Sequence, residues 1–130
     1  MPYTHIAITT TPAKFEETVA FYKKAIAPLG YSETANYGTV VGFGIDGKND
    51  FWIFSKETMT FSEGPGFHFA FLAKDKKAVA AFHEAGLATG GKDQGPPGPR
   101  PKFGPKYYGA FVIDPMGNNV EVTSYDADQE

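Results

Sequence analysis

Apolar and polar positions alternate over residues 3–10, with Ile6 and Ile8 on one side and His5 and Ala7 on the other. A period of two is the signature of a half-buried strand. The period then lengthens. Thr11 is a suitable N-cap and Pro12 suits the first helical position. Phe15, Val19, Tyr22, Ile26 and Leu29 follow at helical spacing and make one apolar stripe, which Pro28 and Gly30 close. Strand-like pieces come next near 31–36 and 38–45. Asp46-Gly47 predicts a turn, and a further strand runs through 50–55. The first half therefore predicts the order β-α-β-β-β.

The second half repeats that order. Residues 66–73 predict a strand with Phe67, Phe69 and Phe71 on one face and His68, Ala70 and Leu72 on the other. Asp75 caps a helix over 76–88, with Val79, Phe82 and Gly86 on its stripe and Gly90-Gly91 at its end. A proline- and glycine-rich stretch, 92–105, predicts a long loop of the kind that is usually functional or mobile. Tyr107 to Ile113 predicts a strand, Asp114-Pro115-Met116-Gly117-Asn118 a turn, and 119–125 the last strand. The acidic tail, 126–130, predicts a frayed end. The pattern thus predicts an α+β fold in a single domain, 1–130, built of two βαβββ modules, 1–62 and 63–125. Each module would supply a curved mixed sheet with a helix on its convex side, the two sheets enclosing a shared concave pocket. Alternation places His5, Ala7, Trp52, Phe54, His68, Ala70, Tyr108, Ala110, Glu121 and Thr123 on the concave side.

The two halves differ at one informative place. His5-Ile6-Ala7-Ile8 opens the first and His68-Phe69-Ala70-Phe71 the second. Asn49-Asp50-Phe51-Trp52-Ile53-Phe54-Ser55 closes the first and Asn118-Asn119-Val120-Glu121-Val122-Thr123-Ser124 the second. Glu121 in one half therefore answers to Trp52 in the other. Two imidazoles and a carboxylate are a good donor set for a first-row divalent ion, and three protein ligands leave positions open for water or substrate. Each residue also has an ordinary reading: a histidine opening an apolar strand is often an edge residue, and a lone glutamate often faces water. The repeat is what singles out His5, His68 and Glu121. His83, following Phe82 on a helix, reads as solvent-facing.

A net charge of −3 gives no basic stripe for nucleic acid. The absence of cysteine removes disulfides and thiolate ligands. The sequence shows no signal peptide and no apolar run of membrane-spanning length, so a cytoplasmic protein with no membrane partner is expected. The aromatic share of 15% predicts a ring-rich core or pocket. Trp52, Phe54 and Tyr108 either line a flat substrate cavity beside the metal or fill the interior. Tyr107 or Tyr108 can donate to a developing oxyanion or act as an acid, and Tyr108 is the catalytic candidate. Arg100 and Lys102 either reach over the pocket to a carboxylate or phosphate or keep the loop soluble.

Three segments carry a resemblance: the strand-opening His5 and His68, the Phe21-Tyr22 segment before Pro28-Leu29-Gly30-Tyr31, and above all Tyr107-Tyr108-Gly109-Ala110-Phe111-Val112-Ile113-Asp114-Pro115-Met116-Gly117-Asn118-Asn119-Val120-Glu121. They resemble the vicinal oxygen chelate superfamily, also called the glyoxalase, bleomycin-resistance and extradiol-dioxygenase superfamily, from His5 to Ser124. The resemblance implies the paired βαβββ fold and a divalent ion (Fe, Mn, Zn, Ni or Co) held by His5, His68 and Glu121. It also implies a homodimer: in many short members one site draws ligands from two chains, which would follow here if each sheet closes against its partner's. Glyoxalase I uses four ligands, with a glutamate at the place of Trp52 that also moves a proton. An indole does neither, which argues against glyoxalase I itself. Relatives with two histidines and one glutamate include extradiol dioxygenases on iron and fosfomycin-resistance thiol transferases on manganese. The expectation is a metal-dependent, glyoxalase-like enzyme of lyase, dioxygenase or thiol-transferase type, acting on a small chelating oxygenated or aromatic molecule. The competing expectation is a metal-free protein that sequesters an aromatic drug or metabolite, as bleomycin-resistance proteins do.

Overall fold

The structure, a computed structural model, describes residues 3–62 and 66–125. The first half forms β1 (Ile6–Thr10), α1 (Pro12–Ala25), β2 (Ser32–Asn36), β3 (Val40–Gly44) and β4 (Phe51–Ser55). The second forms β5 (His68–Leu72), α2 (Lys76–Ala88), β6 (Lys92–Pro99), β7 (Tyr108–Ile113) and β8 (Asn119–Ser124). The sheets have the orders β1-β4-β3-β2 and β5-β8-β7-β6. In each, the first strand pairs parallel with the last and the other pairs are antiparallel. A parallel pair needs a crossover, and the helix of each half supplies part of it. The fold is therefore α+β with two open mixed sheets. Caps fix both helix starts: the Thr11 hydroxyl accepts from the Lys14 N–H at 3.2 Å, and Asp75 accepts from the Ala78 N–H at 2.9 Å. Among the described residues no helix is long and apolar enough to cross a membrane.

Several spans depart from the sequence expectation. The strand expected over 3–10 begins at Ile6, because its partner β4 begins at Phe51. The strand expected from 66 begins at His68 and leaves Phe67 exposed. Residues 92–99, expected as loop, form β6 on the sheet edge. An edge tolerates Pro96, Pro97 and Pro99, which have no N–H to give, and the pairing with β7 slips between Asp93 and Gly95 and again between Gly95 and Gly98. A short 3-10 turn follows over Pro101–Phe103. His83 is largely covered, its side chain 13% exposed, and lies 2.8 Å from Asp93 on β6. The tail expected to fray, 126–130, lies outside the described residues.

The helices cover the apolar faces of the sheets. α2 buries Val79, Phe82 and Gly86, as its spacing predicts. α1 buries Phe15, Thr18, Phe21, Tyr22 and Ala25, while Val19 and Leu29 are only half-buried at the rim of the core. One apolar cluster joins the two halves: Phe51 lies 5.8 Å from Phe69 and 5.4 Å from Phe71, ring centre to ring centre. A polar tie crosses the same boundary. The buried Tyr22 hydroxyl donates to Asp114 Oδ2. Asp114 Oδ1 accepts from the N–H groups of Met116 at 2.8 Å and Asn118 at 2.9 Å, holding the turn before β8.

Burial, and then the Asp114 carboxylate, hold the Tyr22 phenol well above its ordinary range. The folded chain thus keeps this proton at a pH where the unfolded chain sheds it. The resulting stability is present below about pH 10 and is lost as pH rises from there toward the folded-state value. Tyr22→Phe should destabilise the protein at neutral pH by about 1–3 kcal/mol and reduce the slope of stability against pH above about 10, as measured by urea unfolding at both pH values. An unchanged neutral-pH midpoint would show that the tie contributes nothing.

Candidate functional site

Glu121 is the buried carboxylate on the outer face of the second sheet, only 5% exposed. Its position follows from pairing. β8 lies between β5 and β7, and Glu121 stands opposite Ala70 on one side and Phe111 on the other. Residues of one face recur every second position, so His68, Ala70, Asn119, Glu121 and Thr123 share that face. Each carboxylate oxygen has its own company. Oε1 lies 3.1 Å from His68 Nε2. Oε2 accepts from the Tyr107 hydroxyl and lies 2.7 Å from Thr123 Oγ1, which is also 3.2 Å from the Tyr107 oxygen. Burial, and then the hydrogen bond to Glu121, raise the Tyr107 phenol above its ordinary value, so it stays a donor at neutral pH. The His68 side chain is 53% exposed, so one flank of the pair opens to solvent. Asn119, the register partner of His68, keeps its Oδ1 buried with no hydrogen-bond partner among the described residues.

The tyrosine expected beside Glu121 changes identity. Tyr108 and Ala110 pair with Ser124 and Val122, which puts them on the core side of the sheet, away from Glu121. Tyr108 is half-buried there, with Lys76 Nζ 5.5 Å from its ring centre. Tyr107, Gly109 and Phe111 hold the Glu121 side. The signal for this was present in the sequence: a tight Asp114–Asn118 turn pairs Ile113 with Asn119, and counting outward sets Phe111 against Glu121. Phe111 and Gly109 are the residues of this face that strand alternation did not single out, whereas Thr123 was already placed on it.

Trp52 occupies in the first sheet the place of Glu121 in the second, opposite Ala7 where Glu121 is opposite Ala70. Its indole lies over Gly42 and stacks on Tyr37, 6.4 Å between centres and 17° between planes. Phe54 is on the same face, half-buried, with Lys56 Nζ 5.9 Å from its ring centre. His5 precedes β1, is exposed, and lies 2.9 Å from Thr4 Oγ1 through its Nδ1. One chain does not bring His5 to His68 and Glu121: among the described residues no three metal-binding side chains cluster. Arg100 stands over the Phe111 ring, its Cζ 5.6 Å from the centre. A separate groove of about 490 Å³ lies between β1 and the segment before β5, with Ala7, Thr9, Met59, Phe67, Met116 and Asn118 among its walls.

No family model matches the chain, and no curated protein matches it in sequence. Solved structures do match. A glyoxalase/bleomycin resistance protein from Albidiferax ferrireducens T118 superposes with a TM-score of 0.81 at 25% identity, over 95% of this chain and 99% of that one. A putative glyoxalase from Bacillus halodurans gives 0.70 at 21% identity, over 95% of both chains. A lactoylglutathione lyase from Agrobacterium tumefaciens gives 0.61 at 21%, over 95% and 96%. These structural neighbours belong to the vicinal oxygen chelate superfamily, and the chain has that superfamily's two-module fold.

Trp52 is the chain's single tryptophan, so its surroundings can be read by fluorescence. A Cβ added at Gly42 would stand 2.8 Å from the indole Cζ3. Gly42→Ala should therefore lift the ring from the sheet, shift its emission to longer wavelength and cost about 1–3 kcal/mol. Emission and stability equal to the parent protein would contradict this seating.

Proposed function

We propose that this protein is a divalent-metal-dependent enzyme of the glyoxalase-like type, acting on a small oxygenated molecule that chelates the ion. The observation that carries the reading is the convergence of His68 Nε2 and Glu121 Oε1 at 3.1 Å. Metal bonds of about 2.0–2.2 Å, at angles between square and tetrahedral, set two ligand atoms about 2.8–3.6 Å apart. The donor set fits: an imidazole and a carboxylate whose other oxygen is already engaged by Tyr107 and Thr123.

The third ligand in this reading is His5 of a second copy, which makes the active unit a homodimer. Trp52 shares a sheet with the strand that follows His5, so the same second copy brings its indole to the site as an aromatic wall. When bound, the ion supplies a Lewis acid that polarises a chelated oxygen. Tyr107 and Thr123 fix the carboxylate, and His68 meets it from the neighbouring strand. Position 52 offers no base, so the chemistry belongs with lyase, dioxygenase or thiol-transferase reactions that need none there. One feature favours the second reading, a metal-free protein that sequesters an aromatic compound: Trp52 and Tyr37 form a stacked, partly exposed pair.

Elemental analysis of untagged protein separates the two. The enzyme reading expects about one Mn, Fe, Co, Ni or Zn per chain, lost in His68→Ala and in His5→Ala. A mixture of those two variants should regain metal, because one site of each mixed dimer keeps all three ligands. No metal after incubation with these ions would leave the sequestration reading. Tyr107→Phe should weaken metal binding about 10–100-fold, as expected of a group that orients a ligand, and Tyr108→Phe should leave it unchanged, both measured by titration calorimetry.

A further inference from the structure

Arg100 is the chain's only arginine, and β6 is built around it. Its Nη2 donates to the Pro96 carbonyl at 2.7 Å and its Nη1 to the Pro99 carbonyl at 3.3 Å. Two glycines leave the space it fills. A Cβ at Gly95 would stand 3.3 Å from Nη2, and one at Gly98 would stand 3.1 Å from Nη1. Gly95 and Gly98 pair with Phe111 and Gly109, so the guanidinium lies on the Glu121 face of the second sheet. The Phe111 ring is flanked on that face by Arg100 at 5.6 Å and by the His68 ring at 6.1 Å. The Gly-Pro-Pro-Gly-Pro run thus has a physical reason. Proline carbonyls with no competing N–H of their own hold the fork, and glycines make way for it.

No carboxylate among the described residues pairs with Arg100. The cation is held by two backbone carbonyls and the face of the Phe111 ring, and the rest of its donor fork has no hydrogen-bond partner among the described residues. A seated, planar, permanently charged donor is a recognition device for an oxyanion. We infer that Arg100 is the specificity residue of this site and that the substrate carries an oxyanion, a carboxylate or a phosphorus oxyanion, set against the Phe111 ring. The inference deepens the proposed function, since it takes the Glu121 face as the place where substrate binds. Phe111 offers an apolar platform between the anion and the His68–Glu121 pair, so the substrate's chelating oxygens and its anionic group sit at opposite edges of one ring.

The test uses metal-free protein, and one arginine gives one Nε–H signal by NMR. Benzoate and methylphosphonate serve as the probes, titrated separately. The expected result is a saturable shift of the Arg100 signal and of the Gly95, Gly98 and Phe111 amides with at least one probe. Arg100→Gln should weaken that probe by about tenfold or more. Arg100→Lys, which keeps the charge but not the fork, should fall between, and Gly95→Ala should weaken binding by displacing Nη2. Thermal melts confirm that each variant is folded. Binding by benzoate alone assigns a carboxylate, and by methylphosphonate alone a phosphorus oxyanion. His68→Ala should retain the anion response, so a failed metal site and a failed anion site are told apart. No shift with either probe, or equal affinity in folded Arg100→Gln, would overturn the inference.

Discussion

The oxygens of a carboxylate buried on a sheet must be given hydrogen bonds, and Glu121 imposes that demand on everything around it. Removing such a group from water costs several kcal/mol unless its oxygens are satisfied. Here three side chains do so: Tyr107 just before β7, His68 on β5 and Thr123 on β8 itself. Gly109, beside Thr123 in the pairing, borders the group: a Cβ there would make ordinary contacts, 3.6 Å from Glu121 Oε2 and 3.5 Å from Thr123 Oγ1. On the other side Ala70 is small enough for His68, one repeat along β5, to reach the carboxylate.

The first sheet has the same topology and the opposite chemistry. Trp52 stands where Glu121 stands, Gly42 makes way for its indole, and Tyr37 stacks on it. A single backbone plan thus presents one charged, hydrogen-bonded face and one aromatic face. The metal centre proposed here requires that the two faces meet, and within one chain no three metal-binding side chains cluster among the described residues. The shared core and the Tyr22–Asp114 tie hold the two halves back to back through α1, α2 and the turn before β8, while both functional faces point outward.

Most of the fold was legible because two periods, two caps and a repeated order agreed. The helix over 76–88 came out at its predicted limits, since Asp75 and the Val79–Phe82–Gly86 stripe both mark it. β6 was not legible, because composition rich in proline and glycine describes a loop and an edge strand equally well. The pocket phase of β7 was misread by one residue. Tyr107 and Tyr108 are chemically identical, and only the register across the Asp114–Asn118 turn tells which of them meets Glu121. The pairing of His68 with Glu121 was readable from the repeat. The residue pattern alone did not separate His5, which precedes the first rung of β1; the two-chain site that the resemblance implies was the only sign of it.

We propose that His68 and Glu121 are the nucleus of a metal centre completed by His5 of a second copy. Its most direct test is anomalous diffraction from crystals grown with manganese. Such a centre should give a peak bonded to His68 Nε2 and Glu121 Oε1, with His5 of another chain as the third ligand. No peak there, with the His68–Glu121 hydrogen bond intact, would contradict it.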